Sequence, residues 1–163
     1  MNVSISSVKG QKLLVAISGG VDSVVLAHYL HSQECHIVLA HCNFQLRGEE
    51  SDGDEAFVRS FAQTLGVPLE VVRFNTREYA ATHRLNTQLA ARELRYQWFE
   101  ELLRLHGCHR LVTAHQANDC IETFFINLSR GCGLSGLLGI PAATPTLVRP
   151  LLQVSRKEIV AYA

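Results

Sequence analysis

Short apolar runs alternate with amphipathic segments along most of the 163-residue chain, and this alternation limits the fold more than any other feature. The apolar runs, each predicted to be a strand, are residues 12–17, 36–42, 69–74 and 110–114. Strands that lack polar alternation and are separated by helices are typical of a parallel sheet buried on both faces. We therefore predict one α/β domain over residues 1–163, with about five parallel strands and helices on both sides of the sheet.

The segments between these runs predict the helices. Those with apolar residues at helical spacing are 23–33, 52–65, 87–105 and 118–130. Thr87 is the expected N-cap of the longest helix, whereas residues 75–85 show no clear period and are expected to be irregular. The predicted buried stripe of that longest helix is Ala91, Leu94, Trp98, Leu102 and Leu105.

The C-terminal residues predict one more helix. Ser155 and Glu158 have the spacing of a capping box, which marks the start of a helix. Only five residues follow Glu158, so we expect the chain to be part of a longer protein.

Composition excludes several classes of protein. With 47% hydrophobic and 18% charged residues the chain can bury a core, which argues against disorder. The fifteen basic and fifteen acidic residues cancel, so net charge gives no sign of nucleic-acid binding. No apolar run reaches the roughly 18–20 residues that a membrane helix needs, and no signal-peptide pattern opens the sequence. The five cysteines include no C-x-x-C pair, which disfavours a disulfide framework or a zinc ribbon and favours a cytoplasmic location.

The segment with the most chemical meaning lies between the first strand and the first helix. Its residues are Ser18, Gly19, Gly20, Val21, Asp22 and Ser23. Two glycines allow close approach of an anion, and the amides at the helix start can bind it together with the serine hydroxyls. Asp22 would repel a bare phosphate, so it implies either a bridging Mg²⁺ or a structural role. From the residues alone, the alternative is an ordinary strand-to-helix turn.

This S-G-G-x-D-S segment resembles the signature of the PP-loop ATP pyrophosphatases. The resemblance implies a Rossmann-like PP-loop fold (adenine nucleotide alpha hydrolase-like) and an enzyme that splits ATP into AMP and pyrophosphate. It also implies ATP binding by residues 18–23, with the loop at the carboxyl end of the first strand. The signature alone does not choose a substrate, because NAD synthetases, GMP synthetases, argininosuccinate synthetases and tRNA thiolases share it.

Four further segments resemble the tRNA(Ile)-lysidine synthetase family. These are H-C-N-F-Q-L-R-G-E-E-S-D-G-D-E at 41–55, A-R-E-L-R-Y at 91–96, the T-A-H-Q block from 113 to 137, and R-P-L-L at 149–152 with R-K-E-I at 156–159. The resemblance covers about residues 12–163, nearly the whole chain. It implies that ATP adenylates the C2 oxygen of the wobble cytidine (position 34) of a CAU-anticodon isoleucine tRNA. The ε-amine of lysine then displaces AMP, so that the tRNA reads AUA.

The resemblance also implies the residues that act. Asp119 and Glu122 are three residues apart on a predicted helix, so their carboxylates share a face that can hold lysine and take its proton. Asp119 is alternatively a ligand of Mg²⁺ together with Asp22. A solvated helix face is the structural alternative for the carboxylate pair.

Basic and imidazole groups complete the expected site. Arg92 and Arg95 also share a helix face and can clamp a phosphate or stack on cytosine, or else pair with nearby glutamates as surface arginines. His115 is expected at the end of the fourth strand, near the phosphates or the base. Arg130 is expected to neutralise charge on the departing pyrophosphate. Residues 73–95 carry five arginines against two glutamates, which weakly supports a tRNA partner.

The sequence departs from the family pattern at three positions and leaves alternatives open. Gln116, Asn118 and Cys120 stand where the family usually has His, Asp and Gln. The alternatives are a tRNA 2-thiocytidine synthetase, disfavoured by the missing C-x-x-C pairs, a small-molecule amidating ligase, and a non-catalytic nucleotide-binding module. Much of the tRNA affinity is expected to lie in a C-terminal region beyond this domain. The oligomeric state stays open, with a homodimer among the partners considered.

Overall fold

The computed structural model describes residues 3, 8, 10–116 and 143–163. Within them, five strands form one parallel sheet: β1 (Lys12–Ala16), β2 (His36–Asn43), β3 (Leu69–Arg73), β4 (Arg110–Val112) and β5 (Leu147–Val148). Their spatial order is β3-β2-β1-β4-β5. β2 and β3 therefore lie on one side of β1, and β4 and β5 lie on the other side. The predicted parallel sheet is confirmed.

Five helices are described: α1 (Val21–Ser32), α2 (Glu49–Leu65), α3 (Thr76–His83), α4 (Thr87–His106) and α5 (Arg156–Tyr162). The capping box predicted for α5 is confirmed, since Ser155 Oγ accepts from the Glu158 amide and the Glu158 carboxylate accepts from the Ser155 amide. None of the described helices is both long and apolar enough to cross a membrane. The predicted helix over 118–130 lies outside the described residues.

The sheet is covered on both faces, as predicted. Leu13 and Val15 point to one face, where they join a buried cluster that contains Leu26 of α1, Val58 of α2 and Ile159 of α5. The neighbouring residue Leu14 points to the other face, because successive side chains of a strand alternate. The second cluster, which covers that face together with α4, contains Leu14, Val38, Phe99, Leu102 and Leu111.

Three predictions about the helices are wrong. The segment 75–85, expected to be irregular, contains α3, because the Asn75 side chain accepts a hydrogen bond from the Glu78 amide and Ala80 is buried. In α4 the N-cap is Asn86 rather than Thr87, and Leu105 is 73% exposed. Leu105 lies off the buried face of the helix, whose buried residues are Ala90, Ala91, Phe99 and Leu102, and the predicted core residues Leu94 and Trp98 are half-buried.

A buried carboxylate connects α2 to the neighbouring strands. Glu55 is 4% exposed and accepts hydrogen bonds from Asn43 Nδ2 (3.0 Å), Arg73 Nε (2.8 Å) and Arg59 Nη2 (2.9 Å). Burial by itself raises the pKa of Glu55, but these three hydrogen bonds and the charge of Arg73 outweigh it and lower the pKa to about 2. The Asn43 side chain also accepts from the Gln45 amide, so the same cluster shapes the loop that follows β2.

We expect Glu55→Gln to lower the free energy of unfolding by about 2 kcal/mol, because charged hydrogen bonds to Arg59 and Arg73 are lost. The pKa of Glu55 in the fold lies below its ordinary value of 4.5, so its contribution is complete above that pH and disappears as pH falls toward 2. Urea unfolding between pH 7 and pH 3 measures both effects. Glu101→Gln, at an exposed position of α4, is the control and should change stability by less than about 0.5 kcal/mol. Equal stability of the two variants at pH 7 would contradict the prediction.

Candidate functional site

The loop between β1 and α1 is folded by its own serines. Ser23 Oγ donates to the Gly20 carbonyl oxygen (2.8 Å) and accepts from the Ser18 amide (3.1 Å). The Ser18 hydroxyl lies 3.1 Å from Ser23 Oγ and accepts from the Gly20 amide at 3.3 Å. Both hydroxyls are therefore placed inside the turn, and they fix its shape before any ligand binds.

The start of α1 is open to an anion. Gly20 is its N-cap and has no side chain to cap the helix, and the first amides of a helix have no acceptor within it. Val21, the first residue of α1, is 41% exposed. The positive end of the helix dipole and these donors favour phosphate at this position, which is the arrangement that residues 18–23 predict.

Gly19 brings a second segment against the loop. Its φ of +93° is a conformation that side chains rarely adopt, and a Cβ atom there would lie 3.2 Å from Asp54 Oδ1. Asp54 Oδ2 in turn accepts a hydrogen bond from Arg47 Nη2 at 2.7 Å. The segment 41–55, singled out in the sequence, therefore supports the loop from the side of α2.

A hydrogen bond from β2 fixes the entrance of the loop. His41 is 3% exposed, and its Nδ1 donates to the carbonyl oxygen of Ile17, the residue before Ser18, at 2.9 Å. A carbonyl oxygen only accepts, so the proton of a neutral His41 ring is on Nδ1. Its Nε2 is buried without a hydrogen-bond partner among the described residues.

Asp22 connects the loop to two distant parts of the chain. Its Oδ2 accepts from Gln116 Nε2 at 3.0 Å, and its Oδ1 forms an ion pair with the Arg156 guanidinium of α5. Gln116 lies just beyond β4, and Asp22 lies just beyond β1. Since the strand order reverses between these two strands, the contact spans the crevice where open parallel sheets bind their ligands.

His115 lies beside this contact, one residue before Gln116. The Thr113 hydroxyl lies 2.9 Å from its Nδ1, which fixes the ring at the carboxyl end of β4. The position matches the prediction that His115 stands at the end of the fourth strand.

The two predicted arginines contact different aromatic rings. The Arg95 guanidinium lies 5.0 Å from the centre of the Phe44 ring, beyond the carboxyl end of β2. Arg92 lies 4.8 Å from the centre of the Tyr96 ring on its own helix. Within the described part of the chain neither forms an ion pair, so the alternative in which they pair with nearby glutamates is not found. Arg95 therefore lies at the edge where the carboxyl ends of the strands meet, whereas the ring contact of Arg92 stays within α4.

The remaining predicted site residues lie outside the described part of the chain. They are Asp119, Glu122 and Arg130, together with the departures Asn118 and Cys120. Sequence reasoning missed the roles of Arg156, Gln116 and Asp54 in contacting the loop. Asp54 and Arg156 lie within the family motifs, but no local pattern in the sequence shows which residues they contact.

Cysteine chemistry is disfavoured near the described edge of the site. Cys42, on β2, is a free thiol whose pKa is raised to about 12 by burial, with the charge of Arg95 only partly opposing the shift. Because the thiolate is the reactive form, Cys42 stays an unreactive thiol at neutral pH.

Comparison with known families and proteins agrees with this geometry. A sequence profile described as "PP-loop domain" matches residues 1–163. The tRNA(Ile)-lysidine synthase of Bacteroides thetaiotaomicron is 50% identical over 151 residues, which are 93% of this chain and 35% of that protein. The synthase of Chlorobaculum tepidum is 43% identical over 157 residues, covering 94% of this chain and 47% of its own length. The chain thus spans between about a third and a half of these curated relatives.

Solved structures show the same fold at low identity. The U34-tRNA thiolase NcsA from Methanococcus maripaludis has a TM-score of 0.77 at 19% identity, covering 98% of this chain and 59% of that one. The NH3-dependent NAD synthetase from Campylobacter jejuni has a TM-score of 0.66 at 15% identity, covering 97% of this chain and 66% of that one. The predicted fold class is therefore confirmed.

We expect Gly19→Ala to weaken the binding of ATP, the ligand that the loop sequence predicts, by at least about tenfold. An alanine would be strained at the φ of +93°, and its methyl group would press on Asp54, so the loop must change shape. Gly66→Ala is the matched control, since Gly66 also has a positive φ (+65°) but no atom within 4 Å of its added Cβ. Titration calorimetry with ATP compares the two, and equal affinities would contradict the prediction.

We expect Arg156→Gln to lower the affinity for ATP, measured without Mg²⁺, several-fold, because Asp22 then keeps an uncompensated negative charge beside the phosphates. The loss should shrink as salt rises, since screening weakens the repulsion. Stability should change by less than about 1 kcal/mol, because the Arg156 side chain is 43% exposed. Lys157→Gln, at the exposed neighbouring position, removes the same charge and should leave affinity unchanged. An equal loss in the two variants would show that only net charge matters.

Proposed function

The chain belongs to the PP-loop domain family, and we propose that it forms the ATP-binding catalytic domain of an enzyme that joins lysine to an isoleucine tRNA. The bond would form between the ε-amine of lysine and C2 of the wobble cytidine in a CAU anticodon. ATP would be converted to AMP and pyrophosphate in the process.

One observation carries the proposal: the 50% identity to a tRNA(Ile)-lysidine synthase over 151 residues. That stretch is 93% of the chain, so it includes most of the fold and site described here. The geometry supports the ATP part independently, through the open start of α1 and the serine-braced turn before it.

The described residues suggest how the nucleotide is held. The triphosphate would lie on the amides at the start of α1, with Ser18 and Ser23 beside it. We assign Mg²⁺ binding to Asp22 together with Asp119, and binding at Asp22 would require this residue to exchange its contact with Arg156. Mg²⁺ would supply neutralisation of phosphate charge. Arg156, once released, would remain beside the phosphates and contribute a positive charge.

The reaction needs two bond exchanges. The C2 oxygen of cytosine would bond to the α-phosphorus of ATP, and the bond from that phosphorus to pyrophosphate would break. The lysine nitrogen would then bond to C2, and the oxygen would leave with AMP. The attacking ammonium must first lose a proton, which we assign to the carboxylates of Asp119 and Glu122. Arg95, His115 and Arg130 would stabilise negative charge on the phosphates, and Arg92 is kept as a further candidate.

The alternative chemistries fit the residues less well. Sulfur transfer to cytidine would need reactive cysteines, and the sequence has no C-x-x-C pair. Cys42, the thiol close to Arg95, is kept protonated by burial. Small-molecule amidating ligases share the loop but not the segments at 41–55 and 91–96. A cytoplasmic location follows from the proposed substrate.

The proposal is tested with the full-length protein, Mg²⁺ and radiolabelled lysine. We expect ATP-dependent labelling of an unmodified CAU-anticodon isoleucine tRNA and none of methionine tRNA. Asp119→Asn and Glu122→Gln should each lower the rate by at least about 100-fold, the scale of general acid–base catalysis. Glu100→Gln, at an exposed position of α4, is the matched control and should leave the rate unchanged.

Labelling that is independent of ATP, or equal for the two tRNAs, would contradict the proposed reaction. Production of AMP from ATP without any labelling would retain the loop chemistry and reject lysine or this tRNA as the substrate. Conversion of ATP to ADP would reject the PP-loop chemistry itself.

A further inference from the structure

A cleft of about 300 Å³ opens between α3 and α4, beyond the carboxyl end of β3. Its lining residues are Phe74, Asn75, Glu78, Tyr79, Thr82, His83 and Leu94. No residue of the phosphate loop and none of the predicted catalytic residues is among them. The cleft is therefore separate from the nucleotide site, although both lie on the same edge of the sheet.

Flat aromatic faces dominate the cleft and its surroundings. Phe74 stacks on Phe44, with ring centres 5.8 Å apart and an angle of 26°, and it packs edge-on against Trp98. On the other wall, Tyr79 and His83 are stacked 3.9 Å apart at an angle of 20°. The Arg95 guanidinium covers Phe44, so a row of rings leads from the end of β2 to the cleft. Stacked rings of this kind present surfaces on which another flat ring can stack.

The polar groups of the lining mostly bond to one another. Asn75 Nδ2 donates to Glu78 Oε2 at 2.6 Å, and the Tyr79 hydroxyl donates to Glu93 Oε2 at 3.4 Å. His83 Nδ1 lies 3.0 Å from the carbonyl oxygen of Tyr79. With these groups engaged, the lining offers mainly apolar and aromatic surface, and Glu78 is its one carboxylate. This fits a flat, largely uncharged ring better than an ammonium group.

The surrounding helices carry excess positive charge. Residues 76–95 contain four arginines and two glutamates, a net charge of +2. None of the four, Arg77, Arg84, Arg92 and Arg95, forms an ion pair in the described ranges, in contrast to Arg73, which pairs with Glu55. Arg84 follows His83 of the lining, and Arg95 follows Leu94. Unpaired arginines around a pocket of stacked rings are complementary to the phosphates and bases of single-stranded RNA.

The position of the cleft suits the neighbour of a reacting nucleotide. β3 lies two strands away from β1, which is about 10 Å sideways, and its last residue Arg73 lies three residues beyond the register of Ala16, so the two carboxyl ends are about 14 Å apart. We propose that the cleft between α3 and α4 binds, by stacking, an unpaired base next to the modified nucleotide of the RNA substrate. The nearby arginines contact the phosphates of that RNA. This proposal rests on the proposed function, since it deepens the account of how the tRNA is recognised.

Occluding the cleft tests the stacking. Thr82 is exposed and lines the cleft, so Thr82→Trp places a bulky ring in it without removing any buried contact. Ala81→Trp is the matched control, because Ala81 is the exposed neighbour on the same helix and does not line the cleft. In the lysine-incorporation assay we expect Thr82→Trp to raise the KM for tRNA about tenfold, the scale of one stacked base, with kcat unchanged. The KM values for ATP and lysine should not change, and Ala81→Trp should resemble the parent.

The contribution of the arginines is tested by charge removal. Arg84→Gln should weaken binding of an anticodon stem–loop RNA and reduce the slope of log affinity against log salt by about one. Arg104→Gln removes an equally exposed charge from the far end of α4, and it should leave both the affinity and the slope unchanged. Fluorescence anisotropy with a labelled stem–loop measures both quantities.

Equal tRNA KM values for Thr82→Trp and Ala81→Trp would overturn the proposal, and so would a rise in the KM for lysine alone. Direct binding separates this failure from failure of the proposed function. If the parent binds the stem–loop but transfers no lysine, the proposed reaction fails, while a tenfold weaker binding by Thr82→Trp still supports the cleft. If the parent binds no RNA, the cleft proposal is overturned.

Discussion

The position of β1 is the constraint on which the described site depends. This strand pairs in parallel with β2 on one side and with β4 on the other, so the direction in which strands are added reverses between β1 and β4. The crevice that results receives Ser18 to Ser23 from one side and His115 and Gln116 from the other. One side-chain hydrogen bond, from Gln116 to Asp22, spans this crevice.

Charge is balanced around this crevice in a consistent way. Asp22 belongs to the phosphate loop and Asp54 contacts it, and each of these aspartates is paired with an arginine. Asp22 pairs with Arg156, and Asp54 pairs with Arg47. Without the arginines, these carboxylates would repel a polyphosphate bound in the crevice. Because the arginines offset this charge, the carboxylates can lie beside the anion site. Asp54 can therefore pack closely against Gly19.

Most of the fold could be predicted from the sequence, because apolar runs and caps are local signals. β1 to β4 and the helices α1, α2 and α4 follow from periodicity, and the start of α5 follows from the capping box at Ser155. α3 was not predicted, because its eight residues show no clear apolar period despite the local Asn75 cap, and because a contact such as the Thr76 hydroxyl donating to the Phe44 carbonyl oxygen is not visible in the sequence. The serines and glycines of the loop were identifiable from their own spacing. Arg156 was not, because 134 residues separate it from Asp22 and no local pattern encodes such a contact.

Gln116 shows how a departure from a family pattern can preserve a contact and change its chemistry. The resemblance places a histidine at this position, and a histidine that donates to a carboxylate gains or loses charge near neutral pH. The Gln116 amide instead donates to Asp22 Oδ2 at 3.0 Å and does not titrate. The hydrogen-bond donor that Asp22 receives from the segment after β4 is therefore independent of pH across the physiological range. The positive charge that balances Asp22 then comes from an arginine, Arg156, rather than from an imidazole. Hence in this chain the pH dependence of nucleotide binding should come from the ligand and from groups other than the two that contact Asp22.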